Sequence, residues 1–181
     1  MATTDDVTDD PDDRTADTIA AIARCWSYPD AELAAALDEG LFEAELPTTP
    51  TVDDLREEYT RLFVGPGEHP CPPYESIYRS GGSEESAPQI LGESTRSVVD
   101  WYRRYDLVQD STWRDLPDHV AVELEFAGHL AENDPDALPA FLDEHPRQWL
   151  PAFLAAVEEH AQLPFYRTLA VTTKQLVGQL D

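Results

Sequence analysis

From residue 18 onward, apolar side chains recur every three or four positions and show no convincing period of two. A period near 3.6 marks a helix with one buried face, whereas a half-buried strand alternates. The chain is therefore expected to be all-α, a single compact bundle of roughly ten helices spanning residues 18–181. Prolines and glycines cut the pattern into segments. Ile19, Ile22, Ala23 and Trp26 mark a first helix that stops before Pro29. Asp30 can cap a second, with Gly40 as its stop. Thr51-Val-Asp-Asp54 has the form of a capping box and opens a third, through Leu55, Tyr59, Leu62 and Phe63 to the breaker Gly65-Pro66-Gly67. Residues 65–88 form a long Pro-rich stretch, in which Tyr74-Glu75-Ser76-Ile77-Tyr78 can make one helical turn. Loops of that length inside a domain are usually functional. A further helix is expected from about Pro88 to Tyr105, and another from Pro117-Asp118 to Asn133. Shorter patterns cover 136–144 and 146–161, and a last helix starts at Pro164.

Charge narrows the function classes. The 181 residues hold 37 acidic and 12 basic side chains, a net charge of −25. Nucleic-acid binding needs a basic footprint, and so does docking on an anionic membrane. Neither is expected, and no segment approaches the ~20 apolar residues of a membrane span. Residues 1–17 carry seven Asp and one Arg and read as a disordered acidic arm without the apolar region of a secretory signal. The body keeps 11 basic against 30 acidic residues, and Lys174 is the single lysine. Such a surface suits high salt, where self-repulsion is screened, so a halophilic source is expected. Two cysteines without a C-x-x-C spacing give neither a disulfide framework nor a zinc signature, and a cytoplasmic location follows.

Few residues suggest chemistry. His119 and Glu123 stand four apart on one expected helix, behind Asp118. They fit an acid–base pair or part of a metal site, and equally an N-cap at Asp118 with a His–Glu contact. A small metal-dependent hydrolase using His119 and Glu123 is thus one reading. Ser76 follows Glu75 without a nucleophile elbow. Cys71, between prolines and near Glu68 and Glu75, fits a packed residue better than a reactive thiol. Phe63, Tyr74, Tyr78, Trp101 and Tyr102 flank the long loop; most fit a core, and some fit a groove for an apolar peptide. No catalytic, cofactor-binding or metal-binding signature emerges, which favours a binding module over an enzyme.

Several segments match known motifs in order. Tyr59-Thr-Arg-Leu62-Phe63-Val-Gly65-Pro66 resembles Y-x-x-L-F-x-G-P, and Pro72-Pro73-Tyr74-Glu75-Ser76-Ile77-Tyr78 resembles P-P-Y-E-S-x-Y. Gly92-Glu-Ser-Thr95 leads to Tyr102 as in the helix that follows. Pro117-Asp118-His119, Glu123-Leu124 and Phe126 resemble P-D-H-x-x-x-E-L-x-F. Trp149-Leu-Pro151-Ala-Phe153 and Pro164-Phe165-Tyr166 complete the series. Together these resemble the TorD/DmsD/NarJ family of redox-enzyme maturation chaperones. One departure is Asp106, where the family often has a glycine.

The resemblance implies an all-α fold and a cytoplasmic chaperone. Its partner would be the apo catalytic subunit of a molybdenum oxidoreductase, bound through its twin-arginine leader or another segment, held for cofactor insertion and kept from export until folded. The implied leader-binding residues are Phe63, Tyr74, Glu75, Ser76, Tyr78, Pro117, Asp118, His119 and Glu123. Asp118 and Glu123 would take arginines by charge-assisted bonds. Phe63, Tyr74 and Tyr78 would take the apolar part. A monomer and a helix-swapped dimer are both compatible, as is a structural subunit of a redox complex.

Overall fold

The computed structural model describes residues 11–42, 46–79, 92–107 and 116–180. These hold nine α-helices: α1 (Pro11–Trp26), α2 (Ala31–Asp38), α3 (Val52–Tyr59), α4 (Glu75–Arg79), α5 (Glu93–Arg104), α6 (Val120–Asn133), α7 (Leu138–Glu144), α8 (Pro146–His160) and α9 (Pro164–Gln179). Among the described residues the only β-type pairing is one isolated bridge between Tyr74 and His119. The expected all-α bundle is what forms.

Local signals set most boundaries. The Asp30 carboxylate accepts the N–H groups of Glu32 and Leu33 and caps α2, and Gly40 leaves that helix with φ 110°. Thr51 and Asp54 close the capping box of α3. Residues 88–91, expected to begin a helix, lie outside the described residues, as do Gly81 and Gly82. Asp106 takes φ 54°, the left-handed conformation a glycine would adopt. The Leu107 N–H then donates to Tyr102 O at 3.0 Å, so the helix stop survives the departure from the family pattern.

Three boundaries differ from expectation. First, α1 begins at Pro11, so residues 11–17 are helical rather than a disordered arm. Tertiary packing accounts for this. Ala16 is already buried, and α1 lies closely along α6. A Cβ on Gly128 of α6 would stand 3.5 Å from Ala16 O and 3.6 Å from Ile19 Cγ2, ordinary contact distances that show how closely the two helices lie. Residues 1–10 lie outside the described residues. Second, α3 runs on into one π-helical turn, Thr60–Val64, closed by the Gly65 N–H donating to Thr60 O at 2.7 Å. The wider turn sends Phe63 inward and leaves Val64 67% exposed. Third, α6 begins after His119, not at Asp118.

The centre of the fold is aromatic. Phe63 packs against Trp26, Tyr59, Phe153 and Tyr166 with ring centroids 4.9–6.1 Å apart, mostly edge to face. α8 runs beside α9, and its other neighbours are α4, α7 and α6. Phe153 of α8 faces the aromatic centre, while Trp149, one turn earlier, faces α4 and α6.

Candidate functional site

The Pro-rich segment and the Pro117-Asp118-His119 segment meet on α6 and α8. Three hydrogen bonds fasten them. The Val120 N–H donates to Pro73 O, the Glu75 N–H to Asp118 O, and the Ser76 N–H to Asp118 Oδ2, each at 2.9 Å. Asp118 thus holds the start of α4 through both its backbone and its side chain. The cap of α6 falls to His119, whose Nδ1 accepts the Ala121 N–H at 3.2 Å. Its ring also meets the edge of Tyr74, with centroids 5.2 Å apart.

Behind this junction lies a buried polar cluster. Glu75 is 0% exposed, and its carboxylate accepts from Arg79 at 2.6 Å and lies 3.0 Å from His145 Nδ1. Glu123, on α6, is 1% exposed and accepts the indole N–H of Trp149 at 2.9 Å. Burial, reinforced by the Glu75 charge and then by Asp118, raises Glu123 well above the ordinary carboxylate range against the pull of the Trp149 N–H. Tyr102 closes the cluster from α5, donating its hydroxyl to Pro117 O at 2.8 Å. On the outer side, Glu144 accepts from Ser97 and Trp101 at 2.8 and 2.9 Å. Burial would raise Glu144, but those two bonds, together with nearby His145 and Arg104, outweigh it and hold the carboxyl below its usual range.

The expected site residues therefore divide. Glu75, Ser76, Pro117, Asp118, His119 and Glu123 do converge, but as interior groups that join α4 to α6 and α8. The Asp118 and Glu123 carboxylates are not surface groups awaiting arginines, and the former is not the cap of α6. Phe63 belongs to the aromatic centre rather than to a groove. Tyr74 and Tyr78 remain partly exposed, Tyr78 leaning on Trp149 and Phe153. Cys71 is fully buried, and burial raises its thiol, as fits a packed residue. Sequence reasoning missed Arg79, His145 and the role of the Trp149 indole. A charged residue one turn after Glu75 was the available signal for Arg79. None marked His145, which sits in the bend between α7 and α8.

Hydrolytic chemistry finds little support. Among the described residues no three His, Cys, Asp or Glu side chains converge as metal ligands. A serine–histidine–carboxylate order does occur: Ser97 Oγ is 3.3 Å from His145 Nε2, and Glu75 is on Nδ1. The Ser97 hydroxyl, however, is directed to Glu144, and Ser97 lies inside α5, whose N–H groups are committed to the helix rather than to an oxyanion.

The described residues define an all-α helical bundle in which a Pro-rich segment is clasped to a buried carboxylate segment. Residues 24–155 match the profile of the nitrate reductase delta subunit family, and the chain belongs to it. It is 30% identical over 132 residues to the Tat proofreading chaperone DmsD of Salmonella typhi, covering 72% of this chain and 62% of the relative. It is 31% identical over 131 residues to the chaperone protein TorD of Shewanella sp. strain ANA-3, covering 70% and 61%. The match thus spans about three-fifths of the length of these relatives. Among solved structures, a crystal structure from Archaeoglobus fulgidus, described as a candidate redox enzyme maturation protein, superposes with a TM-score of 0.65 at 23% identity. That match covers 98% of this chain and 100% of that one, and it supports the fold.

Proposed function

We propose that this protein is a cytoplasmic maturation chaperone for a molybdenum oxidoreductase. It binds the apo catalytic subunit at its twin-arginine leader or another segment, assists cofactor insertion and delays export until folding is complete. Relatives named as Tat proofreading and TorD chaperones support this reading. The observation that carries it is the clasp between Pro73–Ser76 and Asp118–Val120, which joins the two segments that the family resemblance assigns to the leader. No described helix is long and apolar enough to cross a membrane.

The partly exposed face of this clasp offers Tyr74 and Tyr78 to an apolar stretch. An incoming arginine meets an occupied position, because Arg79 already lies on Glu75 and donates to Glu144 O at 2.9 Å. Asp118 acts by holding the start of α4 in register. Binding of the client's leader peptide, followed by calorimetry in high salt, tests this. Asp118→Ala should weaken binding about tenfold, the loss expected for a charge-supported hydrogen bond, with the helical circular dichroism retained. Arg79→Gln should strengthen it by freeing the guanidinium position. Wild-type affinity in both variants would remove the clasp from the site.

The family's description as a delta subunit favours one second reading, a stable component of a redox complex. That reading requires stoichiometric co-purification with the cofactor-loaded enzyme. The acidic surface supports a high-salt habitat, and refolding should fail at low KCl; full stability without salt would contradict it.

A further inference from the structure

The cluster behind α4 contains three carboxyl groups, those of Glu75, Asp118 and Glu123, all at 0–1% exposure. Their donors are unequally shared. Glu75 receives Arg79 and His145. Asp118 receives the Ser76 N–H on Oδ2. Glu123 receives only the Trp149 indole on Oε2, and no N–H or hydroxyl reaches its Oε1. The Glu75 carboxyl neighbours the Glu123 carboxyl in the same buried cluster. Two ionised carboxylates in contact in the interior repel strongly, and an ionised oxygen without a donor is costly to bury. One proton between them removes both penalties and adds a short, charge-assisted O–H···O bond.

We propose that Glu123 carries a proton at neutral pH and donates it to Glu75, and that this shared proton is the latch that seats α4 and the Pro73–Ser76 segment on α6 and α8. Arg79 and His145 meet the pair on its Glu75 side. The surroundings agree from every packed element. Arg79 faces the pair from α4, Tyr102 from α5, Asp118 from just before α6, and His145, with Glu144 behind it, from the α7–α8 bend. Arg79 and His145 both reach Glu75, and neither is bonded to Glu123. Loss of the proton sets two carboxylates against each other across the α4–α6 contact. The segment carrying Tyr74 and Tyr78 is then the part free to lift, since α6 and α8 are held by the apolar core. The latch is a property of the free protein and stands apart from the client's identity.

Two measurements on the full chain test it. Carbon-13 carboxyl shifts of selectively labelled glutamate should show Glu123 protonated at neutral pH, titrating above the ordinary carboxylate range. Amide exchange at Glu75, Ser76 and Val120, corrected for intrinsic rates, should lose protection by roughly tenfold or more as pH rises above neutrality. Glu123→Gln supplies a permanent N–H donor in place of the shared proton, and should hold that protection flat over the same rise. The proposal is overturned by a Glu123 carboxyl that titrates in the ordinary range. Wild-type protection that is flat with pH, or a Glu123→Gln variant that keeps the wild-type pH dependence, overturns it as well.

Discussion

Two regions meet on α8 and are held together in different ways. Around Phe153, the rings of Trp26 and Phe63 pack in tilted contacts and Tyr166 meets Phe63 edge to face, and these contacts need only shape and apolarity. One turn earlier, the Trp149 indole reaches into the cluster of Glu75, Glu123 and His145, where each group depends on a named donor or acceptor. Packing degrades gradually, because neighbours relax into lost volume. A buried charge cluster fails abruptly, because removing one partner leaves another unpaired. The clasp that carries the proposed function is built on the brittle side and braced by the tolerant one.

Substitutions can break this contrast. The largest effect is expected at Glu75→Ala, which strands His145 and Arg79; chemical denaturation should show a loss of about 3–5 kcal/mol. Phe63→Leu, in the aromatic centre, should cost only about 1–2 kcal/mol. A smaller loss for Glu75→Ala than for Phe63→Leu would invert the account.

The two regions should also respond oppositely to pH. Beside the aromatic centre, burial would raise Glu58, but Arg61 and the N–H groups of Leu163 and Gln162 outweigh it and lower the carboxyl below its usual range. Its contribution is present above the unfolded value, about pH 4.3, and is lost as pH falls through the folded one. Glu123 is raised instead, so its contribution is fully present below the unfolded value and is lost as pH rises through the folded one. Acid should therefore loosen the Glu58 contact between α3 and the start of α9, and mild alkali should loosen α4 while leaving the Glu58 contact protected. Residue-resolved amide exchange checks this, and parallel loss at both places would contradict it. The smallest effect is expected at Asp106→Gly. Relief of the left-handed backbone there should raise stability by about 0.5–1 kcal/mol, read as a modest increase in Tm.

The same contrast explains what the sequence made legible. Periodicity and punctuation marked the helices well, because each signal is local: Asp30, the Thr51–Asp54 box, and Pro146 and Pro164 at helix starts. They missed the helical residues 11–17, whose order comes from packing on α6, and the π turn, which composition does not announce. At the site, the motifs located Glu75, Asp118, His119 and Glu123 but not their orientation. Acidic residues next to turn formers look solvated in sequence. Only the long-range partners, Trp149 and His145, 26 and 70 positions away from Glu123 and Glu75, turn them inward.

The central claim is that the clasp serves capture of an unfinished redox enzyme. Affinity purification of the wild-type protein and of Asp118→Ala from the source cells in high salt, with mass spectrometry and molybdenum analysis of what is retained, tests it most directly. The wild type should retain a molybdenum oxidoreductase catalytic subunit lacking its cofactor, and Asp118→Ala, equally folded, should lose it. Equal retention by both proteins, or stoichiometric recovery of the cofactor-loaded enzyme, would contradict the account.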